Sequence, residues 1–119
     1  MPFRFESLKI WHMARTYAQT VYRLSTTFPR KEDYGLTSQI NWAANSISLN
    51  IAEGSAKKSD KHFDLYPDNA VGSTYEVVGA GFRALDEGYI NQSAFDTFYM
   101  EGETLAKAIN AFRRTLNGR

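Results

Sequence analysis

The chain has 119 residues, with 14 Lys+Arg against 13 Asp+Glu and a formal net charge of +1. That is chain for one domain, residues 1–119, and it excludes a chain-wide polybasic arm or acidic tail as the basis of function. A hydrophobic content of 43% with 14% aromatics makes a packed core feasible, while the absence of cysteine excludes disulfides, thiolate metal sites and a cysteine nucleophile.

In chain order, the apolar residues fall into four helical stripes. Ile10, Ala14, Tyr17, Val21, Leu24 and Phe28 recur at spacings of four and three. This predicts a helix over about residues 7–27, stopped by Pro29, because a proline pushes the residue before it out of the helical region. Leu36, Ile40, Ala43, Ile47 and Ile51 predict a second helix over 36–53, entered after Gly35 and capped by Gly54. Asn41, Asn45 and Asn50 lower its intrinsic propensity, so packing has to hold it.

The third stripe, Phe63, Tyr66, Ala70, Val77, Ala80 and Ala84, predicts a helix over 60–87. It starts on a Ser59 cap with Asp60 at the positive end of the helix dipole, and it ends at Gly88. Pro67 lies inside it, where a proline costs about 3 kcal/mol, so a kink or separately packed first turns are expected. The fourth stripe, Phe95, Phe98, Gly102, Leu105, Ile109, Phe112 and Leu116, predicts a helix over 93–116, capped by Ser93 and closed by Arg113 and Arg114. Short loops make neighbouring helices antiparallel. The predicted fold is all-α, an antiparallel up-down-up-down four-helix bundle.

No catalytic or cofactor signature accompanies this pattern. Neither histidine follows a Glu at the Glu-x-x-His spacing of a di-iron bundle: Lys9 precedes His12 and Ser59 precedes His62. Asp60, Asp64 and Asp68 read as a solvated face rather than a cation site. Gly79 and Gly81 lie within a helix and form no phosphate loop. The expectation is therefore a protein with no enzyme activity, no cofactor and no metal.

Binding residues are more visible. Residues 1–59 hold 8 basic and 4 acidic side chains, and residues 60–119 hold 6 basic and 9 acidic. Lys57, Lys58 and Lys61 cluster at one turn, and Arg30 and Lys31 sit at another. These five are the candidate nucleic-acid contacts, strengthened if symmetry repeats them around a ring. Val71, Val78, Phe82 and Leu85 lie off the main stripe of the third segment, and a helix with two apolar faces wants two partners. Self-association is expected, with Trp42, Val71, Val78 and Phe82 as the candidate interface. Trp11 reads as a core-edge residue.

The run Tyr34-Gly35-Leu36-Thr37-Ser38-Gln39-Ile40, then Ala43-Ala44-x-Ser46-Ile47, then Asn50-Ile51-Ala52-Glu53-Gly54, resembles the four-helix-bundle family named for the 23S rRNA intervening-sequence protein. Phe5-x-x-Leu8-x-Ile10-Trp11, Phe28-Pro29, Ser59, Phe63, Ala70, Gly72-Ser73, Glu76 and Gly88-Tyr89-Ile90 extend the match over nearly the whole chain. The resemblance implies a small cytosolic bacterial bundle that assembles as a homopentamer. Related accessory proteins of diversity-generating retroelements bind nucleic acid through a basic pentamer. Asn41 and Trp42 stand where the family usually carries one or two arginines, and Pro67 and Asn69 where it carries apolar helix formers. Gln39, Asn50 and Glu53 are the polar residues of the motif, with Asn50 and Glu53 expected to serve helix ends and inter-helix hydrogen bonds.

Two functions are therefore expected to compete. One is an oligomeric bundle that binds RNA or a ribonucleoprotein through basic loops, and the other is a protein-interaction adaptor with no nucleic-acid role. The opening residues 1–6 lack the basic-then-apolar pattern of a secretory signal, and no stretch approaches 18 uncharged apolar residues. The expected location is cytoplasmic, with no membrane partner.

Overall fold

Apolar residues repeating at three and four can be buried together only on a helix, and the computed structural model, which describes residues 2–118, has helices wherever that repeat runs. They are α1 (Lys9–Ser25), α2 (Leu36–Ser55), α3 (Asp60–Asp86) and α4 (Gln92–Leu116), each within two residues of its predicted bounds. Short 3-10 turns at Arg4–Ser7 and Arg30–Glu32 precede α1 and α2. Helix α1 packs on α2 and α4, and α3 packs on the same two, leaving α1–α3 and α2–α4 as the diagonals of a square. The result is an antiparallel four-helix bundle measuring 44 × 24 × 22 Å, its long axis set by the 27-residue α3, about 40 Å at 1.5 Å per residue.

The helix ends correct several expectations. Ser59 does cap α3, its hydroxyl accepting from the His62 amide at 3.1 Å. Helix α4 is capped by Asn91, whose Oδ1 accepts from the Ala94 amide at 2.8 Å, so Ser93 lies already inside the helix. Gly88 closes α3 with φ +75°. The Gly88 and Tyr89 amides donate back to the Leu85 and Ala84 carbonyls, at 3.0 and 2.9 Å, a reversal that glycine makes without a Cβ penalty. Gly54 is not a cap. It is buried in the last turn of α2, where a Cβ would come within 2.6 Å of Tyr66 and 2.9 Å of Phe63. Pro67 does not divide α3, which runs unbroken through it with the ring fully buried. The first turns of α3 are joined to α4 by Phe63, 5.5 Å from the Phe112 ring, while Phe63 itself stands outside the contiguous core cluster.

The core joins the four stripes from Ile10 to Ile109. Its spacing is set where glycine lets a ring reach a neighbouring backbone. A Cβ on Gly81 would lie 2.2 Å from Phe98, and one on Gly102 would lie 2.5 Å from the Tyr17 hydroxyl. The Tyr17 ring is fully buried and stacked on Phe98 at 5.8 Å, and its hydroxyl donates to the Phe98 carbonyl at 3.2 Å. Burial, then the Glu101 charge, raises the Tyr17 pKa well above the ordinary tyrosine range. Gly79, by contrast, faces open space.

These two glycines predict opposite outcomes. Gly81→Ala should destabilise the fold by about 1–3 kcal/mol through overpacking against Phe98. Gly79→Ala should stabilise the isolated bundle by about 0.8–1 kcal/mol through helix propensity. Urea unfolding followed by circular dichroism measures both.

Candidate functional site

Alternating helix direction gathers the start of α1, the end of α2, the start of α3 and the end of α4 at one end of the bundle. Lys57, Lys58 and Lys61 are there, and so is a basic residue that sequence spacing did not connect with them: the Arg4 guanidinium lies 4.9 Å over the Phe63 ring. The Lys57 ammonium lies 5.1 Å over the Tyr66 ring, while Lys58 and Lys61 are exposed. Arg114, in the last turn of α4, is exposed at this end too. Arg30 and Lys31 are exposed at the opposite end, a helix length of about 30 Å away. The five predicted basic residues thus fall into two separate groups.

Arg113 belongs to neither. Its Nε donates to Asp64 Oδ1 at 2.9 Å, its Nη2 to Asp64 Oδ2 at 3.3 Å, and its Nη1 lies 3.1 Å from Asp68 Oδ1. The hydrogen bond to Asp64 raises the Arg113 pKa further. The Arg113 and Asp64 side chains are only 24% and 16% exposed, so Asp64 is not part of a solvated face as its spacing suggested. It ties α3 to α4, and Arg113 is more than a partner for the helix dipole.

A second tie closes the other end. Glu32 Oε1 accepts from the Leu36 amide at 3.1 Å, serving the first turn of α2, and Oε2 accepts from the Tyr89 hydroxyl at 2.8 Å. The Leu36 hydrogen bond, then the Tyr89 one, lowers the Glu32 pKa below the usual glutamate value. The same bond raises that of Tyr89. An acid four residues ahead of a helix start was the available sequence signal. Its tyrosine partner, 57 residues away, had none.

The apolar candidates separate as well. Trp42 is 75% exposed and so stands outside the core. Gln39, also exposed, shares a surface hollow with it, together with Tyr34 and Arg83. Val71 and Leu85 are half-buried against the bundle's own core. Phe82 is exposed yet packs on Phe95 of α4 at 4.7 Å. Val78 is half-buried in a groove of about 330 Å³ between α3 and α4, rimmed by Tyr75 and Tyr99. Sequence reading missed Tyr75, which is 71% exposed. Of the motif residues, Asn50 donates to the Ser46 carbonyl of its own helix at 2.8 Å, and Glu53 is exposed. The inter-helix polar bonds of α2 come instead from Asn41 to Ser25 at 2.8 Å and from Ser46 to Ser73 at 2.6 Å. Among the described residues, no cluster of three His, Asp or Glu side chains is placed to hold a metal ion, and no helix is long and apolar enough to cross a membrane.

Residues 6–111 match the 23S rRNA-intervening sequence protein family, and the chain belongs to it. The fold is similar to that of a crystal structure of a protein with unknown function from the S23 ribosomal protein family of Bacteroides thetaiotaomicron VPI-5482. That likeness has a TM-score of 0.80 at 15% identity, over 88% of this chain and 98% of the other, and is one of fold. None of the curated proteins compared with the chain matches it.

The Glu32 tie makes stability depend on acid. A lowered carboxylate pKa stabilises the fold fully above the ordinary glutamate value of 4.5 and is lost as pH falls through the lowered value. Glu32→Gln should therefore lower the melting temperature at pH 7, and the gap from wild type should close towards pH 3. Thermal melts across that range measure it, and a gap that persists at pH 3 would assign the effect to packing instead.

Proposed function

We propose that this family member is a non-catalytic scaffold that assembles with copies of itself and holds RNA, or a ribonucleoprotein, against the basic end of each bundle. The supporting observation is the division of its surface. Exposed Tyr75 and Phe82 of α3, with Tyr99 of α4, make one aromatic side. Arg4, Lys57, Lys58, Lys61 and Arg114 gather at one end, where they outnumber the exposed carboxylates Glu53 and Asp60. The displaced titratable groups, Tyr17, Glu32, Tyr89 and Arg113, tie helices together and line no common cleft, which favours binding over catalysis.

In this reading Trp42, Val78, Phe82 and Tyr75 meet a second copy, and the number of copies implied by the family resemblance is five. The setting is the bacterial cytoplasm. One basic end is a weak site. Repeated around a ring, the ends act on one strand by effective concentration, so avidity exceeds single-site affinity by orders of magnitude. Arg30 and Lys31 would form a second, smaller ring of charge at the far end. The groove between Tyr75 and Tyr99 favours the alternative, a protein adaptor in which a partner's helix fills that groove.

Native mass spectrometry at low salt, on protein purified gently from its own cells, should find a ring-sized mass carrying RNA. Lys57→Glu with Lys58→Glu and Lys61→Glu should strip the RNA and leave the ring. Tyr75→Glu should release monomers. A ring free of nucleic acid would move the assignment to the adaptor, and a wild-type monomer would end the assembly reading.

A further inference from the structure

The α1–α2 side of the bundle carries a second cationic surface, distinct from the loop lysines. From Ser7 to Lys31 the sequence has five cations and no carboxylate, and from Tyr34 to Ala52 it has no charged residue at all. Helical spacing turns Arg15, Gln19, Tyr22 and Arg23 of α1 to solvent, where all four are exposed. Across from them, α2 contributes Asn45 and Ser48. With Ala18, these six line a groove of about 510 Å³ whose lining holds no carboxylate.

The details favour one kind of occupant. Among the described residues, neither Arg15 nor Arg23 is paired with a carboxylate. The Arg15 guanidinium is held 5.3 Å over the Trp11 ring, and Trp11 is itself packed on Phe5 at 4.7 Å, so this cation is positioned before any ligand arrives. Arg23 follows eight residues later, about 12 Å along the helix axis. That spacing lets the two arginines reach different phosphates of one strand. Tyr22, 66% exposed beside Arg23, offers a ring on which a base can stack. Gln19 and Asn45 present amides that both donate and accept, as base edges require. The aliphatic part of the lining is half-buried Ala18.

We propose that the α1–α2 groove binds single-stranded nucleic acid, with Arg15 and Arg23 on phosphates and Tyr22 stacked on an unpaired base. The inference rests on the RNA reading above for its ligand class and departs from it in location. A free base face exists only in a single strand, which is why a duplex is not the expected ligand.

The test is fluorescence anisotropy of the full chain with a labelled 12-nucleotide oligouridylate, its DNA counterpart and a duplex of the same length. Arg15→Glu with Arg23→Glu should raise Kd more than about tenfold and flatten its salt dependence, because two phosphate contacts are lost. Tyr22→Ala should raise Kd by about five- to a hundredfold with the salt slope unchanged, and Tyr22→Phe should restore binding. All three residues are exposed, and circular dichroism checks that the variants fold. Wild-type Kd in both groove variants, with loss only in the Lys57/Lys58/Lys61 variant, would overturn the groove and leave the RNA reading standing. No binding by the wild-type chain would remove both. A duplex bound as tightly as the single strand would overturn the stacking role. A change of oligomeric mass in the double arginine variant, with affinity unchanged, would assign the groove to a second copy's acidic face instead.

Discussion

How closely α4 can approach α3 and α1 governs the rest of this bundle, and two absent side chains set that distance. Phe98 occupies the space a Cβ would take at Gly81, and Tyr17 occupies the space at Gly102. A ring seated against backbone leaves little room to slide, so the register of α4 against both neighbours follows from these two contacts. The Tyr17 hydroxyl adds a direction to the fit by donating to the Phe98 carbonyl. Its burial also keeps it protonated, since an ionised phenolate there would lose its solvation.

Polar chemistry then finishes the ends that the core cannot reach. Arg113 clamps Asp64 and Asp68 at one end, and Glu32 joins the start of α2 to Tyr89 at the other. Each tie joins a pair of elements. What remains exposed is sorted by helix. The α1–α2 side is cationic and free of carboxylates between Ser7 and Lys31, and the α3–α4 side is aromatic around Tyr75, Phe82 and Tyr99.

Legibility in the sequence followed the range of each interaction. The stripes of α1 to α4 repeat within a few residues, so the four helices and the Ser59 and Gly88 ends were readable to within two residues. Where a polar residue has a competing neighbour one or two positions away, spacing alone misassigned the cap: Asn91, not Ser93, serves α4. Gly54 carried two meanings, helix stop and close approach, and only the neighbouring Phe63 and Tyr66 distinguish them. Asp60, Asp64 and Asp68 looked alike in sequence. Arg113, 49 residues from Asp64, separates two of them from the third.

The candidate surfaces divide along the same line. Charge, apolar pattern and the membership signature around Leu36–Ser55 are properties of the chain itself, because helix period and composition act through neighbours three or four residues apart. Those properties by themselves determined an all-α chain of four amphipathic helices with a net positive first half. Only the tertiary structure decided that Arg30 and Lys31 stand a helix length from Lys57, that Arg4 joins that lysine cluster, and that Arg15, Tyr22 and Arg23 face Asn45 across a groove. Such groupings depend on which helices become neighbours in the square. That choice is made by ring-into-glycine packing between residues far apart in the chain, and a local periodicity does not encode it.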